Sequence, residues 1–372
     1  MAVSILVFII FLSILILVHE CGHFFVAKRA GVWVEEFGFG LPPRIFGKKI
    51  GETIYSVNLF PFGGFVKLHG ENMGEKVTKS DRAFSNKSKK ARAGIIVAGV
   101  IMNFLLAIGV FAISYSFTGV PKQMGNVKIV EVREDSPAAE SGLMAEDIVR
   151  ELDANKITTN DELLKLLDEN KGQEVVLKIE REGEVGLLET KTTLLAEPPE
   201  GEGVLGAVIV DSEMYLPSIL LRPFYGIYYG FQEAIFWGGM VLTGFVSIIR
   251  DLSGGALPEG VAGPAGIFVI TSEVAKIGIL PLLNWMGIIS VNLAILNIFP
   301  FPALDGGRLL FIILEKLFGR KVLPKAENWL NLISMGLLIT FLLAITFREV
   351  RQILSLGFSG YLDFLSGGEG VQ

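Results

Sequence analysis

Positions 2–18 carry no charged side chain, and this run leads straight into His19-Glu20-Cys21-Gly22-His23. At a helical rise of about 1.5 Å per residue, the apolar stretch extended to residue 27 is long enough to cross a bilayer. A segment that must be helical to enter lipid, and that then presents two histidines and a glutamate within five residues, leaves few folds open. It reads as a membrane-spanning helix with a polar site at one end. A cleaved signal peptide is the competing reading, but no basic segment precedes the run and no small-x-small site follows it.

The rest of the chain agrees. Of its 372 residues 51% are apolar and 19% charged, against about 25% charged in a typical soluble domain. This argues against an ordinary soluble enzyme. A net charge of -6 and a pI of about 5.4 exclude a nucleic-acid binder that works through bulk positive charge. The single cysteine, Cys21, excludes an intramolecular disulfide and any multi-cysteine zinc site. Further spans are expected at 94–118, 280–301 and 329–347. The fifteen apolar residues 235–249 are short for a span, and 225–249 reads as an amphipathic or re-entrant helix on the outer side.

Charge sets the orientation. Segment 28–92 holds thirteen basic and six acidic residues, whereas 121–203 holds ten basic and twenty acidic. Short basic loops stay in the cytoplasm, so the first segment is inside and the acidic one outside. Segment 308–325, with five basic residues against one acidic, is also inside. The expected fold class is an α-helical polytopic membrane protein with four transmembrane helices, both termini outside, and an inserted α+β domain. Arg348 and Arg351 sit on the wrong side for that rule. Strand-like runs at 127–132 and 174–180 and a helical run at 161–169 give the insert its α+β character, and 198–203 reads as the linker that ends it. The expected organisation is therefore 1–118 for two spans and a cytoplasmic loop (28–93), and 119–203 for the external domain. After it come 204–279 for the outer-side helical region, 280–350 for two further spans, and 351–372 for a tail.

H-E-x-x-H on a helix sets His19 and His23 one turn apart on one face, so both imidazoles reach the same ion, and Glu20 stands beside the open coordination position. Two histidines merely capping a span would leave a carboxylate at membrane depth with nothing to bind. A single Zn²⁺ supplies the partner. Catalytic zinc usually has three protein ligands. His69 is one candidate for the third, but it reads as an exposed histidine in a basic loop. The better candidate is Asp305, a lone carboxylate reached after an apolar helix meets Pro300 and Pro302 and before a flexible glycine pair, Gly306-Gly307. A plain turn aspartate is the alternative reading. Cys21, about 200° round the helix from His19, is a bystander.

The chain resembles the site-2 protease family of intramembrane zinc metalloproteases, most closely its bacterial regulator-of-sigma-E type. The likeness rests on the H-E-x-x-H run, Gly38-Phe39-Gly40, Gly63-Gly64-Phe65-Val66-Lys67, Gly263-Pro264-Ala265-Gly266-Ile267 and the N-x-x-P-x-P-x-L-D-G run at 297–306. Ser136-Pro137-Ala138-Ala139-Glu140-Ser141-Gly142-Leu143 with Asp147-Ile148-Val149 resembles bacterial PDZ modules, so the insert is expected to be a single PDZ domain; larger members carry two. The resemblance implies a membrane-associated β-hairpin over about 35–68, with 60–64 at or near its turn. It also implies that Asn297, Pro300, Gly63 and Gly64 contact substrate. The implied activity is regulated intramembrane proteolysis in the bacterial inner membrane, with the active site toward the cytoplasm. Implied substrates are single-pass membrane proteins such as anti-sigma factors or signal-peptide remnants, with peptide or a substrate ectodomain at the PDZ, lipid around the spans, and no nucleic acid. The alternative is a non-catalytic membrane PDZ scaffold or chaperone with a structural metal site.

Overall fold

In the computed structural model, which describes residues 2–71, 77–198, 203–254, 262–319 and 324–365, the first apolar run is a single helix, α1 (Ala2–Arg29). Its 28 residues extend about 1.5 Å each, enough to cross a bilayer. The chain then forms two long strands, β1 (Val34–Ile50) and β2 (Thr53–Leu68). Both bend, so residues 36–39 of β1 pair with 64–67 on one side and with 54–57 on the other, while 44–50 pair with 53–58. Glu36 is buried in this sheet and is held by Arg44 and by the Ser56 hydroxyl, which donates at 2.6 Å.

The hairpin exists, but its turn does not fall at 60–64. The strands reverse at Gly51-Glu52, where Gly51 has φ +63°, a conformation glycine adopts without penalty. Phe60 pairs with Leu41 and Gly64 with Phe39, so 61–63 form a bulge inside β2. Proline, which has no N–H to give a ladder, suits a bulge better than a paired position. The second span is α2 (Lys89–Thr118).

Residues 116–222 form a separate compact unit. Its strands are β3 (Val120–Val132), β4 (Ile148–Leu152), β5 (Asn155–Lys156), β6 (Glu174–Glu180), β7 (Leu188–Thr193) and β8 (Ala207–Tyr215), in the sheet order β7-β6-β4-β3-β8 with β5 on β4. Two helices, α3 (Pro137–Glu140) and α4 (Asn160–Glu169), complete it. The expected strands at 127–132 and 174–180 and the helix at 161–169 fall within β3, β6 and α4. Ser136 caps α3 by accepting from the Ala139 N–H, and Thr159 and Glu162 form a capping box on α4. Buried Asp147 takes two hydrogen bonds from Arg181 at 2.7 Å each. The expected end at 203 is corrected. β8 lies beyond it and pairs antiparallel with β3 from Val120↔Tyr215 to Val132↔Ala207, so the region 204–279 begins with a strand of this sheet. Of the 198–203 linker, residues 199–202 lie outside the described residues.

The chain continues as α5 (Arg222–Ser253), α6 (Pro264–Ile277), α7 (Ile279–Ile298), α8 (Asp305–Phe318) and α9 (Pro324–Leu365). Among the described residues, five helices are long and apolar enough to cross a membrane: Ala2–Arg29, Lys89–Thr118, Arg222–Ile248, Ile279–Ile298 and Trp329–Phe358. The fifth candidate is α5, where 225–249 is expected as an amphipathic or re-entrant helix on the outer side. It is one unbroken helix of 32 residues. Its first half lies beside the C-terminal end of α2, where the Tyr115 hydroxyl donates to Glu233 at 2.9 Å, and it reaches Phe299 past the end of α7, on which Phe245 stacks at 5.7 Å. The expected tail at 351–372 is helical as far as Leu365, with a break at Gly357 (φ +73°). Along α5 and α9 large apolar side chains such as Phe231, Ile235, Leu337 and Phe341 are exposed, as helices facing lipid require.

Helices α1 and α7 run in the same direction. Phe11 of α1 and Met286 of α7 share one apolar cluster, and further along both chains His19 meets Asp305. Helix α2 runs against them, with Val110 in that cluster and Ile95 beside His23.

Candidate metal centre

Helix geometry alone aligns the first two groups. His19 and His23 differ by four positions on α1 and their rings meet edge to face, with Nε2 atoms 3.1 Å apart. The third group arrives from the far end of the sequence. Helix α7 stops at Ile298, the two prolines keep 299–304 out of helix, and α8 restarts with Asp305 as its first residue. Asp305 Oδ2 lies 3.0 Å from His19 Nε2 and 3.2 Å from His23 Nε2.

The glycines after Asp305, expected to be flexible, are buried in the first turn of α8. A Cβ on Gly306 would lie 2.1 Å from the Phe299 carbonyl oxygen, and one on Gly307 would lie 2.4 Å from that of Phe301. Glycine is required here for close approach: only a bare backbone lets α8 sit on the segment that turns Asp305 back to the histidines. Gly99 of α2 plays the same part opposite, where a Cβ would stand 2.5 Å from His23 Nε2.

The donor set fits a tetrahedral zinc ion. With zinc bonds of about 2.0–2.1 Å, two ligand atoms of a tetrahedron stand roughly 3.3 Å apart. The three separations here are 3.0, 3.1 and 3.2 Å. Proton bookkeeping points the same way. His23 Nδ1 donates to the Ile95 carbonyl oxygen at 2.8 Å, which leaves the lone pair of a neutral ring on Nε2, aimed at a carboxylate oxygen and a second imidazole nitrogen. A shared proton or a metal cation satisfies such a convergence, and the three-donor set at tetrahedral spacing suits the metal.

A cavity of about 390 Å³ opens onto these atoms and is lined also by Glu20, by residues 65–68 of β2, by Glu71 and by Arg308. Gly64 lies against Glu20: a Cβ there would stand 3.4 Å from Glu20 Cγ. Gly63 is in the bulge, two residues before the lining stretch. The 64–68 segment pairs with β1 on one side, and among the described residues no strand covers its other side. Arg308 pairs with Glu71, tying α8 to the end of the hairpin. Asn297 is half-buried at the last turn of α7 and Pro300 is exposed in the break. Neither lines the cavity.

His69 is not an exposed loop histidine. It is buried, its Nδ1 donates to Glu35 at 2.7 Å, its Nε2 accepts from the Lys79 N–H, and its ring packs on Trp33. It is a staple at the base of the hairpin, used up on both nitrogens. Cys21 is half-buried and is absent from the cavity lining. Sequence reasoning passed over Asn103, which sits on α2 beside His19 and is 1% exposed. The signal was available: an amide in an uncharged span is costly unless something uses it.

The chain is similar to known proteins over most of its length. Residues 7–341 match Peptidase family M50. A protein of Clostridium perfringens, provisionally named a zinc metalloprotease, is 34% identical over 91% of this chain and 96% of its own length. The zinc metalloprotease RasP of Oceanobacillus iheyensis is 27% identical over 94% of this chain and 99% of its own. A PDZ domain of an SdrC-like protein from Listeria monocytogenes, 25% identical, covers 25% of this chain and 95% of its own with a TM-score of 0.21. With the family matched across most of its length, and a relative above 30% identity almost end to end, this chain belongs to peptidase family M50.

Proposed function

We propose that this protein is an intramembrane zinc metallopeptidase of the site-2 type, which hydrolyses a peptide bond within the membrane span of a substrate. His19, His23 and Asp305 are the metal ligands and Glu20 the general base. The observation that carries this reading is the convergence of His19 Nε2, His23 Nε2 and Asp305 Oδ2 to within 3.2 Å of one another in a cavity that also holds Glu20.

When bound, zinc supplies Lewis acidity and makes water a nucleophile at neutral pH. Glu20 takes the proton as the water oxygen bonds to the scissile carbonyl carbon, then delivers it to the amide nitrogen as the C–N bond breaks. A scaffold that kept its metal for structure alone would have no use for that carboxylate, which disfavours the non-catalytic alternative.

A carbonyl inside a helix is hydrogen-bonded and shielded, so the substrate span has to unwind. The uncovered side of 64–68 offers it backbone partners, as an added strand. Gly63 and Gly64 leave that approach free of side chains. Asn297 and Pro300, at the end of α7, flank the turn that carries Asp305, and substrate backbone is their proposed ligand.

The orientation that follows from crossings by α1, α2, α7 and α9 is supported by parity. Helix α2 ends and α7 begins at the same end of the bundle, so the chain between them makes an even number of passes, and α5 with α6 enters without a net crossing. The basic segment 28–92 puts the site toward the cytoplasm and the acidic unit, a PDZ-like module, outside the bacterial inner membrane. The proposed substrates are single-pass membrane proteins of the anti-sigma-factor or signal-peptide-remnant kind, whose peptide or ectodomain meets that module. The test is proteoliposome cleavage of a single-span substrate with mass analysis of the products. A cut inside the span that stops with a chelator and returns with zinc is expected; a cut confined to the ectodomain would refute the reading.

A further inference from the structure

An imidazole that ligates through Nε2 carries its proton on Nδ1 and needs an acceptor there, which fixes both tautomer and ring orientation. His23 has one, the Ile95 carbonyl oxygen. His19 Nδ1 instead faces the Asn103 side-chain amide, with Nδ2 at 3.4 Å. Asn103 is 1% exposed, and its Oδ1 is buried with no hydrogen-bond partner. An orphaned amide oxygen thus lies next to a ring nitrogen that needs an acceptor whenever Nε2 holds a metal.

A half-turn about the Asn103 Cβ–Cγ bond exchanges two atoms of nearly equal size and brings Oδ1 onto His19 Nδ1–H. The residue is held for this task. Its backbone carbonyl accepts the Ser290 hydroxyl of α7 at 2.8 Å, so α2 is pinned to the helix that leads to Asp305. Ile95, Gly99 and Asn103 then form one stripe on α2, at four-residue spacing: an acceptor for His23, a gap for both rings, and an acceptor for His19.

We propose that Asn103 is a positioning residue for the metal centre, its side-chain oxygen accepting from His19 Nδ1–H and holding the ring in the Nε2-ligating tautomer. This rests on the metal-ligand reading of His19. Loss of such an outer partner typically lowers metal affinity by about 10–100-fold.

The experiment is competition of the purified full chain against a chromophoric chelator for zinc, with visible absorption of the cobalt-substituted protein as the second readout. Asn103→Leu, matched in shape but with no acceptor, is expected to bind at least tenfold more weakly and to shift the cobalt bands. Asn103→Asp, which keeps the acceptor, is expected to stay within a few-fold of the native chain with the native spectrum. Native affinity and spectrum in N103L would overturn the proposal, as would an N103D chain as weak as N103L. Should N103L not fold, N103D decides alone, near-native binding supporting the proposal and a tenfold loss overturning it. Failure of the native chain to take up zinc would instead sink the metal-centre reading, and this inference with it.

Discussion

Gly306 lies so close to Phe299 that an added methyl group would come within 2.1 Å of the Phe299 carbonyl oxygen. Neither backbone can yield without moving Asp305, which immediately precedes Gly306. Gly306→Ala is therefore expected to displace the carboxylate from the two imidazoles. A misplacement of about 1 Å costs on the order of 100-fold in rate. Zinc content after dialysis, together with cleavage rate, checks this; an alanine variant with a full complement of zinc would contradict it.

Gly99→Ala probes the opposite wall. Its Cβ would stand 2.5 Å from His23 Nε2 and 2.7 Å from His19 Cε1, in the space between the rings and α2. The helix itself gains from the change, since alanine is favoured over glycine by about 1 kcal/mol in a helix. The expected outcome is a protein that remains helical by circular dichroism but loses zinc. Unchanged zinc binding would mean that the rings have room the geometry denies them.

Glu349 links α9 to α6. It is 2% exposed and accepts from the Gly263 N–H at 2.6 Å, the Ala265 N–H at 3.1 Å and the Tyr361 hydroxyl at 2.8 Å. The glycine-proline-alanine-glycine run singled out in the sequence is thus the N-terminus that this carboxylate caps. Hydrogen bonds to a charged group contribute about 1.5–3 kcal/mol each. Tyr361→Phe, losing one, is expected to lower the thermal midpoint in detergent by several degrees, and Glu349→Leu by more. Equal midpoints for all three proteins would remove the clamp from the account.

The base of the hairpin should respond to acid. Burial pushes the Glu35 carboxyl up, but hydrogen bonds from His69 and Lys67 outweigh it and hold the group below its ordinary 4.5. A carboxylate lowered on folding stabilises fully above about 4.5 and loses that contribution as pH falls further. Amide exchange at Val34–Phe39 is expected to quicken below pH 4.5, and Glu35→Gln to flatten that response. An identical acid profile in the glutamine variant would exclude Glu35 as the cause.

Much of the site was legible because its determinants are local. His19 and His23 follow from helical periodicity, and Asp305 from a carboxylate placed just after a proline break in an apolar helix. What escaped depends on pairing between distant segments. Gly306 and Gly307 look like a hinge until the Phe299 and Phe301 carbonyls are in place. The glycines at 63 and 64 look like a turn until Phe60 and Gly64 find Leu41 and Phe39. β8 reads as part of another region because a strand at a sheet edge carries no local sign of its partner, Val120–Val132. His69 reads as a solvated loop residue until Trp33, Glu35 and Lys79 close around it. In α5 the apolar core was visible but neither the full length nor the path, which contacts with distant residues such as Tyr115 and Phe299 set.

On the proposed mechanism Glu20 transfers protons beside a zinc held by His19, His23 and Asp305. The most direct measurement is zinc stoichiometry and substrate cleavage, side by side, for the native protein and Glu20→Gln in proteoliposomes. Glutamine keeps the shape but cannot take the proton from water, so one zinc per chain with cleavage reduced by at least about 100-fold is the expected result. A Glu20→Gln protein that retains its zinc and cleaves at the native rate would contradict the account.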